Sequence, residues 1–275
     1  MTSKKKYCCF FAIFLFIFIG FNCKQLNHTS QNHILPSSMK TIGVIGGVSW
    51  VSSLEYYRLM NEIVNQKLGG LHSADTLMYS IEFGEFSKQE RLAHLGNWEP
   101  LTATIKDAAM RLEKGGADFI VIASNTINSL IPELQKTVKI PIIHIADAVG
   151  KEIQNKGIQR IALLGTAFTM EQPFYKEILQ NSYNLEVFVP NEEEREYINT
   201  VIFDELCNNR FLPESRSEFV RIIQRLHDEY NVEGVILGCT EIPLLVNQQD
   251  LSIPVFNSTL IHVQAAVEYA LDPSS

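Results

Sequence analysis

The chain has 275 residues, 46% of them hydrophobic and 20% charged, a composition that argues against a disordered or fibrous polymer and for one large globular domain or two small ones. Lys plus Arg number 23 against 31 Asp plus Glu, a formal charge of -8, and no dense basic run follows the first few residues, which argues against a nucleic-acid partner. The five cysteines (Cys8, Cys9, Cys23, Cys207 and Cys239) are odd in number, and only two lie beyond the amino-terminal segment, so a disulfide scaffold is a poor reading.

Lys4, Lys5 and Lys6 precede an apolar run from Tyr7 to Phe21, and the chain turns polar at Asn22. Charged, then apolar, then polar is the order of a signal peptide, and the run is shorter than the roughly 18 to 20 apolar residues of a membrane-spanning helix. Residues 1–38 are therefore expected to be a signal peptide or membrane anchor plus linker, with the protein exported, periplasmic or membrane-attached. No A-x-A pattern follows, and Asn22 ahead of Cys23 is a poor match to the small residue that precedes a lipid-modified cysteine. The competing reading starts translation at Met39, because MKTIGVIGG opens directly on an apolar strand. That reading makes the protein cytoplasmic.

From Lys40 onward, short β-branched apolar runs alternate with longer amphipathic stretches, the pattern of a parallel sheet covered by helices, so the fold class is α/β. Strands are expected at 41–45, 76–80, 119–123, 142–145, 161–164, 186–189, 234–237 and 255–256. Helices are expected at 52–67, 99–114, 131–137, 147–155, 169–181, 192–207, 215–229 and 259–270, with Gly115-Gly116 and Gly157 placed to end helices. The two halves echo each other. IGVIGG resembles IALLGT, GADFIVIASNT resembles VEGVILGCT, and KIPIIH resembles SIPVFN, in the same order and at similar separations. Two similar pseudosymmetric lobes are expected, 39–156 and 157–275, with the chain free to cross back between them. Ligands of open parallel sheets sit beyond the carboxyl ends of the strands, so a cleft between such lobes puts Ser124 and Cys239 on opposite walls.

Cys239 follows a buried-type strand and a glycine in GVILGCTEIP, ahead of Thr240 and Glu241. Free cysteine ordinarily just packs, but this one falls at a strand exit beside a hydroxyl and a carboxylate. Ala123-Ser124-Asn125-Thr126 occupies the matching exit; alone it reads as a helix cap, and its symmetry with GCT makes Ser124 the second catalytic candidate. Two proton-transfer groups on opposite walls suit inversion at a carbon bearing an acidic hydrogen, one removing a proton and the other returning one to the opposite face. That geometry requires no cofactor. Asn125, Thr126 and Thr240, with backbone N–H groups at helix starts, suit a substrate carboxylate and the charge that develops on it. Thr166 and Glu241 join the expected substrate-binding set, and Ser49 and Trp50 are placed either on the cleft or in packing at the helix start. Arg91 and Arg210 suit a bidentate clamp on a side-chain carboxylate, against the ordinary reading of solvated surface arginines. Gly43, Gly46 and Gly47 do not fit the G-x-G-x-x-G spacing, and strand–helix packing explains them. The histidines His72, His94, His144, His227 and His262 show no metal-ligand spacing, so no metal is expected, and Cys207 reads as structural on an amphipathic helix.

Taken in order, IGVIGGVSWVSSLEYYRLMN, LGGLHSA, SNT, IPIIHIADA, ALLGTAFTMEQPFY and GVILGCTEIPLLV resemble the aspartate/glutamate racemase family over essentially Met39 to Leu271. The resemblance implies a two-lobed α/β fold, usually dimeric, and racemisation of an acidic amino acid by two opposed bases without pyridoxal phosphate. It puts the carboxyl-lobe catalytic cysteine at Cys239, facing the α-hydrogen of the L enantiomer. The amino-lobe base falls on Ser124, where most members carry cysteine and some a hydroxyl residue, and the substrate-binding Asn-Thr pair falls on Asn125 and Thr126. The family often reads C-N-T-x-H, whereas the last position here is Asn128, a neutral amide that cannot relay a proton as histidine can. The leading expectation is a homodimeric, cofactor-independent isomerase: an amino-acid racemase for aspartate, glutamate or a related amino acid. The alternatives are a decarboxylase or cis-trans isomerase on the same fold, with Cys239 as the single essential base or nucleophile, and a non-catalytic amino-acid-binding protein.

Overall fold

The computed structural model describes residues 39–274; the expected signal peptide or anchor at 1–38 lies outside the described residues. Among the described residues no helix is long and apolar enough to cross a membrane. Strands β1 (Ile42–Gly46), β2 (Thr76–Ser80) and β3 (Phe119–Ile122) form a parallel sheet in the order β2-β1-β3. Strands β4 (Arg160–Gly165), β5 (Glu186–Phe188), β6 (Gly234–Gly238) and β7 (Val255–Asn257) form a second parallel sheet in the order β5-β4-β6-β7. β1, β3 and β6 are buried along their whole length, as parallel strands covered on both faces must be. The apolar runs in the sequence are the direct signature of this burial.

The partner of β7 in the first lobe is reduced to an isolated bridge between Ile120 and Ile142, where a strand over 142–145 was expected. Pro141 supplies a carbonyl to the Ile120 N–H but has no N–H of its own. The chain then turns at once into a helix, because the His144 Nδ1 caps it by accepting from the Ala146 N–H at 3.0 Å.

The helices are α1 (Trp50–Leu68), α2 (Phe83–His94), α3 (Glu99–Gly115), α4 (Ile131–Leu134), α5 (Ile145–Asn155), α6 (Ala167–Glu171), α7 (Pro173–Tyr183), α8 (Glu192–Asp204), α9 (Pro213–Tyr230), α10 (Ile242–Leu245) and α11 (Ser258–Leu271). The single helix expected over 169–181 is split in two, because Pro173 forces the residue before it out of the helical region; Gln172 is extended, at φ -72 and ψ 149. The helix expected to run to 207 ends at Asp204 and continues as a 3-10 turn, Leu206–Asn208. α2 was not expected, since only Phe86 and Ala93 on it are buried.

In the first lobe, Ile45, Ile120 and Ile122 pack against Leu101, Ile105 and Leu112 of α3. On the other face Val44, Phe119 and Val121 meet Tyr56 and Met60 of α1 together with Val263, Ala266 and Val267 of α11. The chain's last helix thus belongs to the core of its first sheet. Conversely α5 packs Ile145, Val149 and Ile153 against Ile161, Leu163 and Ile236 of the second sheet, so that lobe's core draws on residues ahead of position 157. Tyr56 and His262 fasten α1 to α11: His262 Nε2 faces the Ile143 carbonyl at 3.0 Å and so donates to it, leaving Nδ1 to accept from the Tyr56 hydroxyl at 2.8 Å. Burial pushes the His262 pKa down to about 4, in keeping with a neutral ring between two partners.

Gly47 turns the chain out of β1. Its φ is +85, and a Cβ there would lie 2.1 Å from the Ile81 carbonyl oxygen, so no larger residue fits.

Candidate active site

The carboxyl ends of β1, β3, β4 and β6 converge on one pocket. Of the candidate residues, Ser49, Ser124, Asn125, Thr126, Thr166, Cys239, Thr240 and Glu241 line it. Trp50, Arg91 and Arg210 do not. Trp50 opens α1 and is 54% exposed, while Ser49 just before it is the N-cap, accepting from the Val51 N–H. Arg91 and Arg210 are exposed. On α2 successive side chains diverge by about 100°, so Glu90 takes the pocket and Arg91 the solvent. The arginine clamp on a side-chain carboxylate is therefore not part of this pocket.

Glu241 organises one wall. Its Oε1 accepts from the Ser49 hydroxyl at 2.7 Å, and its Oε2 accepts from the Thr240 hydroxyl at 2.8 Å and the Cys239 thiol at 3.0 Å. The Cys207 thiol reaches Oε1 at 3.9 Å. Cys207 was expected to be structural; the turn at Leu206–Asn208 brings it to the pocket instead. Burial foremost, and then the charge of Glu241, push the Cys239 thiol well above its ordinary range, and the same causes push Cys207 up. At rest Cys239 is a thiol whose proton points at a carboxylate.

Ser124 lines the same pocket from the exit of β3, in the other sheet. Its hydroxyl oxygen accepts from the Ile127 N–H at 3.4 Å. Asn128 holds the backbone here: its amide donates to the Ser124 carbonyl at 2.6 Å, and its Oδ1 accepts from the Ile145 N–H at 3.0 Å. The position read as a missing relay is thus a clamp that fixes Ser124 against the start of α5. Asn125 donates to the Ser258 hydroxyl at 3.1 Å, and Ser258 donates to the Leu237 carbonyl at 2.7 Å. Thr126 pairs with Thr166 at 3.0 Å, a contact between the two lobes.

Three side-chain polar atoms are buried without a partner among the described residues: the Tyr175 hydroxyl lies in the core of the second lobe, while the acceptors Asn125 Oδ1 and Glu90 Oε2 belong to residues that line the pocket. Buried polar atoms are nearly always satisfied, so the two acceptors point to a ligand that donates. Glu90 is the residue that sequence reasoning missed; burial foremost, with the Glu241 charge behind it, raises its pKa to about 7. Nothing in FGEFSKQERLAH marks one glutamate as inward-facing. Among the described residues no group of three or more His, Cys, Asp or Glu is arranged to hold a metal ion.

Residues 45–266 match the Asp/Glu/Hydantoin racemase family. A broad specificity amino-acid racemase of Bacillus subtilis (strain 168) is 23% identical over 171 residues, 62% of this chain and 72% of that protein. Two solved structures are more similar. A candidate Asp/Glu racemase from Yersinia pestis is 43% identical with a TM-score of 0.77, and an aspartate racemase homologue from Pyrococcus horikoshii OT3 is 38% identical with a TM-score of 0.74. Each alignment covers 85% of this chain and 100% of the other. With four-fifths of its length inside the family match, and with parallel sheets flanked by helices as in these relatives, the chain belongs to the Asp/Glu/Hydantoin racemase family and is an isomerase.

Proposed function

We propose that the protein inverts the α-carbon of an amino acid by two-base proton transfer, with Cys239 and Ser124 as the opposed bases. The observation that carries this reading is that the two residues leave the ends of corresponding strands, β6 and β3, and line one pocket. In the L-to-D direction the Cys239 thiol first passes its proton to Glu241, and the thiolate then takes the substrate's α-proton. The Ser124 hydroxyl gives its proton to the opposite face of the carbanion, and the Ile127 N–H stabilises the oxyanion left behind. Glu241 returns its proton to solvent, and Ser124 regains one. The hydroxyls of Thr126 and Thr166 suit the substrate carboxylate, on which the carbanion's charge spreads, whereas the Thr240 hydroxyl is already given to Glu241.

Aspartate or glutamate is named for the two solved structures and broad amino-acid specificity for the Bacillus subtilis relative. Here the pocket lining includes no arginine or lysine, so an acidic side chain would rest on hydroxyls and backbone N–H groups alone. Chiral chromatography after incubation with a panel of L-amino acids tests the reading: inversion of at least one is expected, and Cys239→Ala should abolish it. A Cys239→Ala protein retaining more than about a tenth of parent activity would overturn the assignment, because loss of the base should cost roughly 10²-fold or more.

A further inference from the structure

Beside the pocket lies a second recess, walled by Ala93, His94, Trp98, Leu101, Ile127 and Phe168. The two share Glu90 and Thr126, so the recess adjoins the pocket where Ser124 and Cys239 stand, on the side of Thr126 and Glu90. The recess is aromatic. Trp98 and Phe168 lie 5.0 Å apart between ring centroids at 52°, and His94 meets Phe168 edge-on at 5.8 Å. At its mouth stands Glu90, with Oε2 buried and unpartnered. Arg91, the neighbouring residue, is exposed, and neither cavity has an arginine or lysine in its lining.

We infer that this recess is the side-chain subsite, and that it takes an amino acid whose side chain ends in a cation, such as lysine or ornithine. An ammonium supplies the donors that Glu90 Oε2 lacks, and aromatic faces attract a cation through their quadrupole. An acidic side chain would instead set a third carboxylate beside Glu90 and Glu241 with no counter-charge. A second observation points the same way at the α-carbon end. Asn125, 3% exposed, leaves Oδ1 without a donor, which the substrate's α-ammonium can supply. The inference rests on the racemase reading for the placement of the α-carbon.

The test compares L-lysine, L-glutamate and L-alanine with the parent protein and with Glu90→Gln, which keeps shape and removes the charge. In the parent, kcat/KM for lysine should exceed that for glutamate at least tenfold, and Glu90→Gln should lower the lysine-to-alanine ratio of kcat/KM about tenfold, mainly through the KM for lysine. Preference for glutamate over lysine, or an equal loss on lysine and alanine, would overturn the subsite while leaving racemisation intact. Should no amino acid be inverted, the racemase reading fails, and calorimetric binding of the same three amino acids still decides the subsite. Lysine bound about tenfold more weakly by Glu90→Gln than by the parent supports it; no lysine binding, or binding indifferent to the substitution, overturns it.

Discussion

The Ser49 hydroxyl donates to Glu241 Oε1 at 2.7 Å, tying the exit of β1 in the first lobe to the exit of β6 in the second. Both residues are almost fully buried, at 1% and 2% exposure, so the bond is formed where water cannot replace it. Hydrogen bonds to charged groups contribute about 1.5–3 kcal/mol each. Ser49→Ala should lower unfolding stability by about that amount in urea denaturation. An unchanged midpoint would show that Glu241 finds another donor.

Cys239 is held as a thiol by burial and by the Glu241 charge. Because the folded pKa lies above the ordinary one, free thiolate appears only as pH rises; the proposed turnover instead forms the thiolate by internal transfer to Glu241, which changes no net protonation, so kcat/KM should stay level across neutral pH. Glu241→Gln removes the charge and should move the thiol titration to lower pH, followed by ultraviolet thiolate absorbance, while the rate falls for want of a proton acceptor. A titration that moves upward would mean the carboxylate was stabilising the thiolate.

Glu90 gives the fold a pH dependence of opposite sign to that of a paired carboxylate. Its carboxyl titrates near 7 in the folded chain against 4.5 ordinarily, so between those values the folded state binds more protons than the unfolded state. Stability is therefore fully present below pH 4.5 and is lost as pH rises towards 7, by at most about 3 kcal/mol. Urea denaturation at the two ends of this window should show the slope in the parent protein and a flatter one in Glu90→Gln.

Ser124 is a far weaker general base than Cys239 yet can still donate a proton. Since a racemase has an equilibrium constant of one, the weakness cannot make turnover one-way; it unbalances the internal steps. In deuterated water, unreacted L substrate should gain deuterium faster than unreacted D substrate if, as proposed, Cys239 deprotonates the former and exchanges before Ser124 completes the inversion. Ser124→Cys should narrow that gap. Equal wash-in from both enantiomers of the parent's substrate would remove Ser124 from the role.

Much of this molecule is legible in its sequence. FIVI and GVILG are apolar throughout because both faces of those strands are covered, and the polar residues following each run had to fall at strand exits. That is how Ser124, Asn125, Cys239 and Glu241 stand out. Pro173 carried a helix break that the single helix expected over 169–181 ran through. The echo between halves reappears as the matching strand orders β2-β1-β3 and β5-β4-β6.

What the sequence could not decide is which side chains share a cavity. Glu90 and Arg91 are adjacent, yet only the glutamate lines the pocket, and α2 buries too few residues to carry a periodic signal of its facing. Cys207 looked like a helical core residue until the turn at Leu206–Asn208 brought it to Glu241. The apolar stripe of α11 predicted burial but not its partner, the sheet at the other end of the chain. Hydrophobic periodicity reports how much of each element faces a core. A pocket formed where the ends of four strands and a distant helix converge has no period along the chain, and only tertiary packing selects the residues that line it.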